Sequence, residues 1–229
     1  SAILVLIFSK FFSFSKEITG SLMLVAILTN SSFMGIPILN AYMGESAMPY
    51  VLVYDQLGTF IALATYGTFI ASYYSNKNKL TFKIITLKVL TFPPFLSLVV
   101  ALFLMGVEFH PVISKVLSSF ASTIVPIALV AVGLQLQFKL PREDIKPFSF
   151  ALIIKLIIAP IIAIIICKIF GWNNQASIVS IMEAGMAPMI TAGAIASMAG
   201  LAPRLSSAIV GYGVLISFIT TAILFKLIN

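Results

Sequence analysis

Asn30-Ser31-Ser32-Phe33-Met34-Gly35-Ile36-Pro37 and Glu183-Ala184-Gly185-Met186-Ala187-Pro188 each interrupt a long apolar run with glycine and proline, and 151 positions separate Pro37 from Pro188. Proline removes a backbone donor and breaks the helix ahead of it, yet it is comfortable at the start of the helix that follows. Each interruption is therefore expected to present a half-helix N-terminus, with free amides and a partial positive charge, inside an apolar layer. Two such ends brought together would suit an anion. A single break of this kind is as readily a simple kink, since glycine and proline are common in membrane helices. Two breaks in corresponding places, both flanked by polar or acidic residues, point to a transport site.

Apolar runs surround both breaks. Helices are expected near 1–15, 20–43, 48–73, 82–105, 111–136, 147–168, 175–199 and 203–228, so about eight cross the bilayer. Each break has one apolar span ahead of it and one long span behind it. Two further spans precede the second trio, which makes a five-helix unit over residues 82–229, against three helices over residues 1–74. Five is an odd number, so a second copy enters the membrane upside down. The expected fold is an all-α membrane protein, an inverted-repeat bundle with two crossing broken helices and about eight of ten helices present.

Composition sets the solvent. Of 229 residues, 60% are hydrophobic and only 9% charged, and the mean hydropathy is +1.12; a water-soluble domain of this size would not stay in solution with that surface. Segments such as Ala151 to Cys167 are apolar on every face apart from Lys155, which rules out the alternation of a membrane β-strand. The net charge of +7 sits in the loops with no aromatic-basic platform for nucleic acid. Cys167 and His110 each stand alone in the sequence, so no disulfide frame or metal cluster is expected. No cleavable signal peptide is expected at Ser1–Phe8.

The loop charges orient the chain. Lys10, Lys16, Lys77, Lys79, Lys83, Lys88, Lys139, Arg142, Lys146 and Arg204 fall on one side, against Lys115, Lys168 and Lys226 on the other. The positive-inside rule puts the first side in the cytoplasm, with Lys88 snorkelling from its helix, and both chain ends outside.

Thr29 to Pro37 resembles the Asn-containing, Gly-x-Pro first crossover of the auxin efflux carrier family, which includes plant auxin exporters and bacterial permeases for malate- and malonate-like acids. Thr123-Ile124-Val125-Pro126-Ile127-Ala128-Leu129 with Gly133 is similar to its proline-bearing scaffold helix, and Glu183 to Pro188 to its second crossover. Most members read Ala-Met-Pro there, whereas Ala187 here separates Met186 from Pro188. The second crossover also looks like that of bile acid sodium symporters, in which a glutamate at the place of Glu183 helps bind sodium. The resemblance implies ten helices, a four-helix scaffold and a six-helix core moving like an elevator. In this chain it implies scaffold helices over 82–136, core helices over 147–228 in the second repeat, and the absence of the first two scaffold helices. A bacterial inner (plasma) membrane is the expected location, and a homodimer is left open.

Candidate residues follow from the breaks and from the intramembrane charges, each of which costs at least ~2.5 kcal/mol at a helix centre. Asn30, Ser31, Ser32, Gly35, Pro37, Ala187, Pro188 and Thr191 are the expected binding residues for a small carboxylate, with interhelical hydrogen bonding as the plainer reading of Asn30, Ser31 and Ser32. Glu183, Asp55 and Lys155 are the expected coupling residues, for sodium or a proton, with no other cofactor. Each has a plainer alternative: a structural salt bridge for Glu183, hydrogen bonds to neighbouring helix ends for Asp55, snorkelling for Lys155. An intramembrane protease lacks its serine-histidine pair, zinc motif or paired aspartates, so no enzyme is expected. A channel is the other class, distinguished by flux that does not saturate.

Overall fold

In a computed structural model, residues 1–75, 93–123, 126–127, 130 and 142–228 are described. Outside them lie Lys77, Lys79, Lys83, Lys88 and Lys139 of the orienting set, residues 82–92 and 131–136 of two expected spans, and most of the Thr123–Leu129 stretch with Gly133.

The described residues are helical throughout apart from turns and one short backbone pairing. Helix α1 (Ala2–Phe11) leads into α2 (Lys16–Val25), and α3 (Ile36–Met43) follows through a π-helical turn at Ser31–Gly35. A continuous helix, α4 (Glu45–Tyr74), comes next. Beyond it are α5 (Pro93–Phe103), α6 (Pro111–Ser122) and the long α7 (Arg142–Ile169). The last three are α8 (Gln175–Ala184), α9 (Ile190–Met198) and α10 (Pro203–Ile228). Among the described residues α4, α7 and α10 are long and apolar enough to cross a membrane singly. At 1.5 Å per residue the halves α2, α3, α8 and α9 each reach only about 12–15 Å, well short of a ~30 Å hydrocarbon core.

Local chemistry sets the ends. Ser15 caps α2, its Oγ accepting from the Ile18 amide at 3.2 Å. Asn174 caps α8 in the same way, its Oδ1 accepting from the Ser177 amide at 3.0 Å. Gly171, with φ of +67°, turns the chain out of α7, a conformation that costs other residues more. Helix α7 starts at Arg142, five residues before the expected 147, because the polar segment Arg142–Asp144 winds as a tight first turn. The first expected span is helical only over Ala2–Phe11.

Apolar side chains cover the outside of the bundle as well as its core. Ile153, Ile157, Ile161 and Ile165 form an exposed stripe along α7 at one-turn spacing, and Leu215, Ile219 and Ile223 do the same along α10. Thr29, Asn30, Ser31, Asp55, Lys155, Glu183, Ser206, Ser217 and Thr221 are all buried. An apolar outer surface with the polar side chains turned toward the bundle interior is the arrangement that lipid selects. By contrast α6 buries none of its residues among the described ones.

Close helix contacts hold the interior. On α10, a Cβ at Gly213 would meet Pro188 Cδ at 2.5 Å and Leu152 Cδ2 at 3.1 Å, so only glycine lets the helix lie against the second break. A Cβ at Gly58 of α4 would meet nothing within 4 Å. Gly213→Ala is expected to cost about 1–3 kcal/mol through overpacking and Gly58→Ala to be neutral, as read by thermal unfolding of the two purified variants in one detergent.

Candidate functional site

After Val25 the chain leaves the helix through Ala26, Ile27 and Leu28 and runs extended at Thr29. After Ala184 it does so through Gly185 and Met186 and runs extended around Pro188. The two extended pieces pair antiparallel, Thr29 opposite Pro188. The Asn30 amide donates to the Ala187 carbonyl at 2.9 Å, and the Met189 amide donates to the Leu28 carbonyl at 3.1 Å. Thr29 and Pro188 thus form a pair that exchanges no hydrogen bonds with each other. That is a position where the missing N–H of proline leaves no acceptor unpaired.

The extended residues Thr29 and Asn30 lie at the N-terminal edge of the expected interruption over residues 30–37. Pro37 falls in the first turn of α3, where a missing amide does little harm, and the wide turn Ser31–Gly35 runs up to it, with the Gly35 amide reaching back to the Asn30 carbonyl at 3.0 Å. Wide turns of this kind often mark functional sites in helices.

The orphan carbonyls at the end of α8 find partners across the crossing. Glu183 O accepts from the Met186 amide at 3.1 Å and from Thr29 Oγ1 at 2.7 Å. Ala184 O accepts from Lys155 Nζ at 3.2 Å, and the Gly185 amide reaches Met182 O at 3.1 Å. In a lipid-embedded interior each unpaired group would cost several kcal/mol.

The start of the other half-helix is handled by charge. Asp55 on α4 accepts from Ser31 Oγ and Ser32 Oγ through Oδ1 and from Gln56 Nε2 through Oδ2, each at 2.6 Å. A carboxylate held at a helix N-terminus matches the helix dipole. The serine hydroxyls expected to meet a substrate are thereby committed to Asp55. Glu183 converges on the same turn: a Cβ built on Gly35 would lie 2.8 Å from the carboxyl carbon of Glu183. Glu183 is fully buried, and both of its carboxyl oxygens, along with Asn30 Nδ2 and Gln56 Oε1, have no hydrogen-bond partner among the described residues.

The structure thus gathers Asn30, Ser31, Ser32, Gly35, Asp55, Glu183, Ala187 and Pro188 at one crossing, with Lys155 on its flank. Pro37 and Thr191 stand in the first turns of α3 and α9, partly exposed. Thr29 and Tyr54 were not singled out by the sequence. Thr29 opens the first crossover stretch, and that position was the available signal for it. Tyr54 lines two cavities, one of about 340 Å³ that also touches Thr29 and one of about 370 Å³ that also touches Ala184; nothing in its sequence context marks it.

Against known proteins, the chain matches the family model described as membrane transport protein over residues 1–225. It is similar to an uncharacterized transporter of Methanothermobacter thermautotrophicus, 23% identical over 184 residues that cover 78% of this chain and 58% of the relative. A second uncharacterized transporter, from Methanocaldococcus jannaschii, is 25% identical over 180 residues, covering 76% and 57% respectively. The chain therefore spans less than two thirds of the length of these curated relatives.

Removing the Asp55 carboxylate strands two serine hydroxyls and an amide in the interior. Asp55→Ala is expected to lower stability by about 2–5 kcal/mol and Ser31→Ala by about 1 kcal/mol, measured as the shift in unfolding midpoint in detergent.

Proposed function

The chain belongs to the membrane transport protein family, and from that premise we propose that it is a secondary carrier of small organic anions, working by alternating access. Its family and its relatives make it an integral membrane transport protein rather than an enzyme. The observation that carries the finer reading is the antiparallel pairing of two broken helices at Thr29 and Pro188, with buried unpartnered polar atoms beside it.

The trio α2, α3, α4 and the trio α8, α9, α10 have the same plan of two half-helices followed by one long helix, and their breaks meet in antiparallel sense. That supports an inverted repeat, in which each pair of halves makes one crossing and about eight of ten helices are present. In this reading the described trios form the mobile core, residues 82–136 belong to the scaffold, and the core moves past the scaffold like an elevator. The basic loops face the cytoplasm of a bacterial-type plasma membrane, and a homodimer is compatible with this arrangement.

The two half-helix N-termini are not equivalent. Carboxylates from Asp55 and Glu183 already crowd the start of α3. Helix α9 has no acidic residue in its first turn, so its amides are the ones free to hold the carboxylate of a solute. Thr191 in that turn and Asn30 Nδ2 add donors. Ala187 and Pro188 shape the approach, while Ser31, Ser32, Gly35 and Pro37 hold the opposite half-helix in place. Glu183, buried without a donor, couples transport to a proton or a cation. Its two donor-free oxygens favour one second reading, a sodium-coupled symporter of the bile acid type.

Uptake of labelled mono- and dicarboxylates into proteoliposomes, with and without sodium or a pH gradient, tests the proposal. Uptake should saturate and show counter-transport. Glu183→Gln and Pro188→Ala should each reduce it at least about tenfold, roughly 1.4 kcal/mol at the barrier, with membrane insertion intact. Full uptake by both variants would remove the site assignment.

A further inference from the structure

Lys155 is 2% exposed and is among the largest fully buried side chains described. It stands in a wide turn of α7, Ile154–Ile158, far enough inside the bundle that its ammonium donates to the carbonyl of Ala184, the last residue of α8. A lysine able to snorkel would extend toward a headgroup layer; this one extends into the crossing. Its partner is the negative end of a half-helix, worth about half an elementary charge. The neighbouring residue, Glu183, offers two carboxyl oxygens with no donor among the described residues. An ammonium has three N–H donors, and among the described residues one of them is used.

A backbone carbonyl at a broken-helix C-terminus together with an adjacent carboxylate is also the ligand set a bound alkali cation would use. We propose that the Lys155 ammonium is the resident cation of the crossing: it fills the place of a coupling sodium ion at the end of α8 and balances Glu183, so the protein binds no sodium there. This rests on the crossing being the transport site, and it decides against the sodium-coupled alternative. The cation is then built into the chain, and the ion that exchanges with solution at Glu183 is the proton.

The test needs no solute. Thermal unfolding midpoints of the purified protein in detergent are compared in sodium chloride and in choline chloride at equal concentration. The wild type should unfold at the same temperature in both salts. Lys155→Met, which keeps an unbranched side chain one atom shorter and loses the charge, should unfold several degrees lower in choline chloride and recover selectively in sodium chloride, as mass action requires when an ion binds only the folded state. Lys155→Met combined with Glu183→Gln should recover in choline chloride alone, because the charge that needed balancing is gone; a purely packing role for Lys155 would not respond to that second change. Should Lys155→Met fail to fold in either salt, recovery of folding in the double variant reads the same property. A saturable, sodium-specific rise in the wild-type midpoint would overturn the proposal, as would an unperturbed Lys155→Met or a double variant that does not recover. None of these readings depends on carboxylate uptake, so a protein that transports no carboxylate leaves them standing, and a wild type that binds sodium leaves the transport proposal standing.

Discussion

Two backbone hydrogen bonds, from Asn30 to Ala187 and from Met189 to Leu28, carry the architecture. A helix broken inside a lipid-embedded interior exposes amides and carbonyls that have no water to turn to. The chain resolves this by breaking two helices at one place and letting each supply what the other lacks. Thr29 contributes through its side chain as well, donating to Glu183 O. Neither break is stable on its own terms. Each is a condition for the other, although 159 positions separate Thr29 from Pro188 in the sequence.

Charge follows the same logic. The half-helix that begins at Ser31 receives carboxylates, and the half-helix that ends at Ala184 receives an ammonium, each of the sign that the local dipole favours. Glu183 is the exception. It sits at the negative end of its own helix, reaches the start of α3, and finds no hydrogen bond among the described residues. A buried carboxyl group with this much unmet capacity is poorly suited to a purely structural role, since a buried carboxylate without a partner is costly.

Much of this was legible in the sequence, for identifiable reasons. Apolar runs of membrane length report helices directly, and glycine with proline inside such runs reports that something interrupts them. Glu183, Asp55 and Lys155 stand out because charge is rare in an apolar layer. What escaped was geometry that only the third dimension supplies. Proline marks where a helix can start, so Pro37 drew attention to itself, while the extended residues lie earlier at Thr29 and Asn30. Ser31 and Ser32 read equally as donors for a carboxylate or as interhelical hydrogen-bonding groups, because the sequence does not reveal that α4 brings Asp55 to them. Tyr54 carries no local peculiarity, and Thr29 is marked only by its place at the head of the crossover stretch; what Thr29 does exists only through what lies opposite.

Pro188 occupies the one slot of the pairing that asks nothing of its nitrogen. Were the two segments to slip by a single residue, proline would arrive where an amide is required, and the ladder would lose a rung in a setting with no water to replace it. Proline thus works as a key cut for one alignment: it penalises every neighbouring register while leaving the correct one unburdened. The crossing is thereby held in one register and is not free to slide along itself.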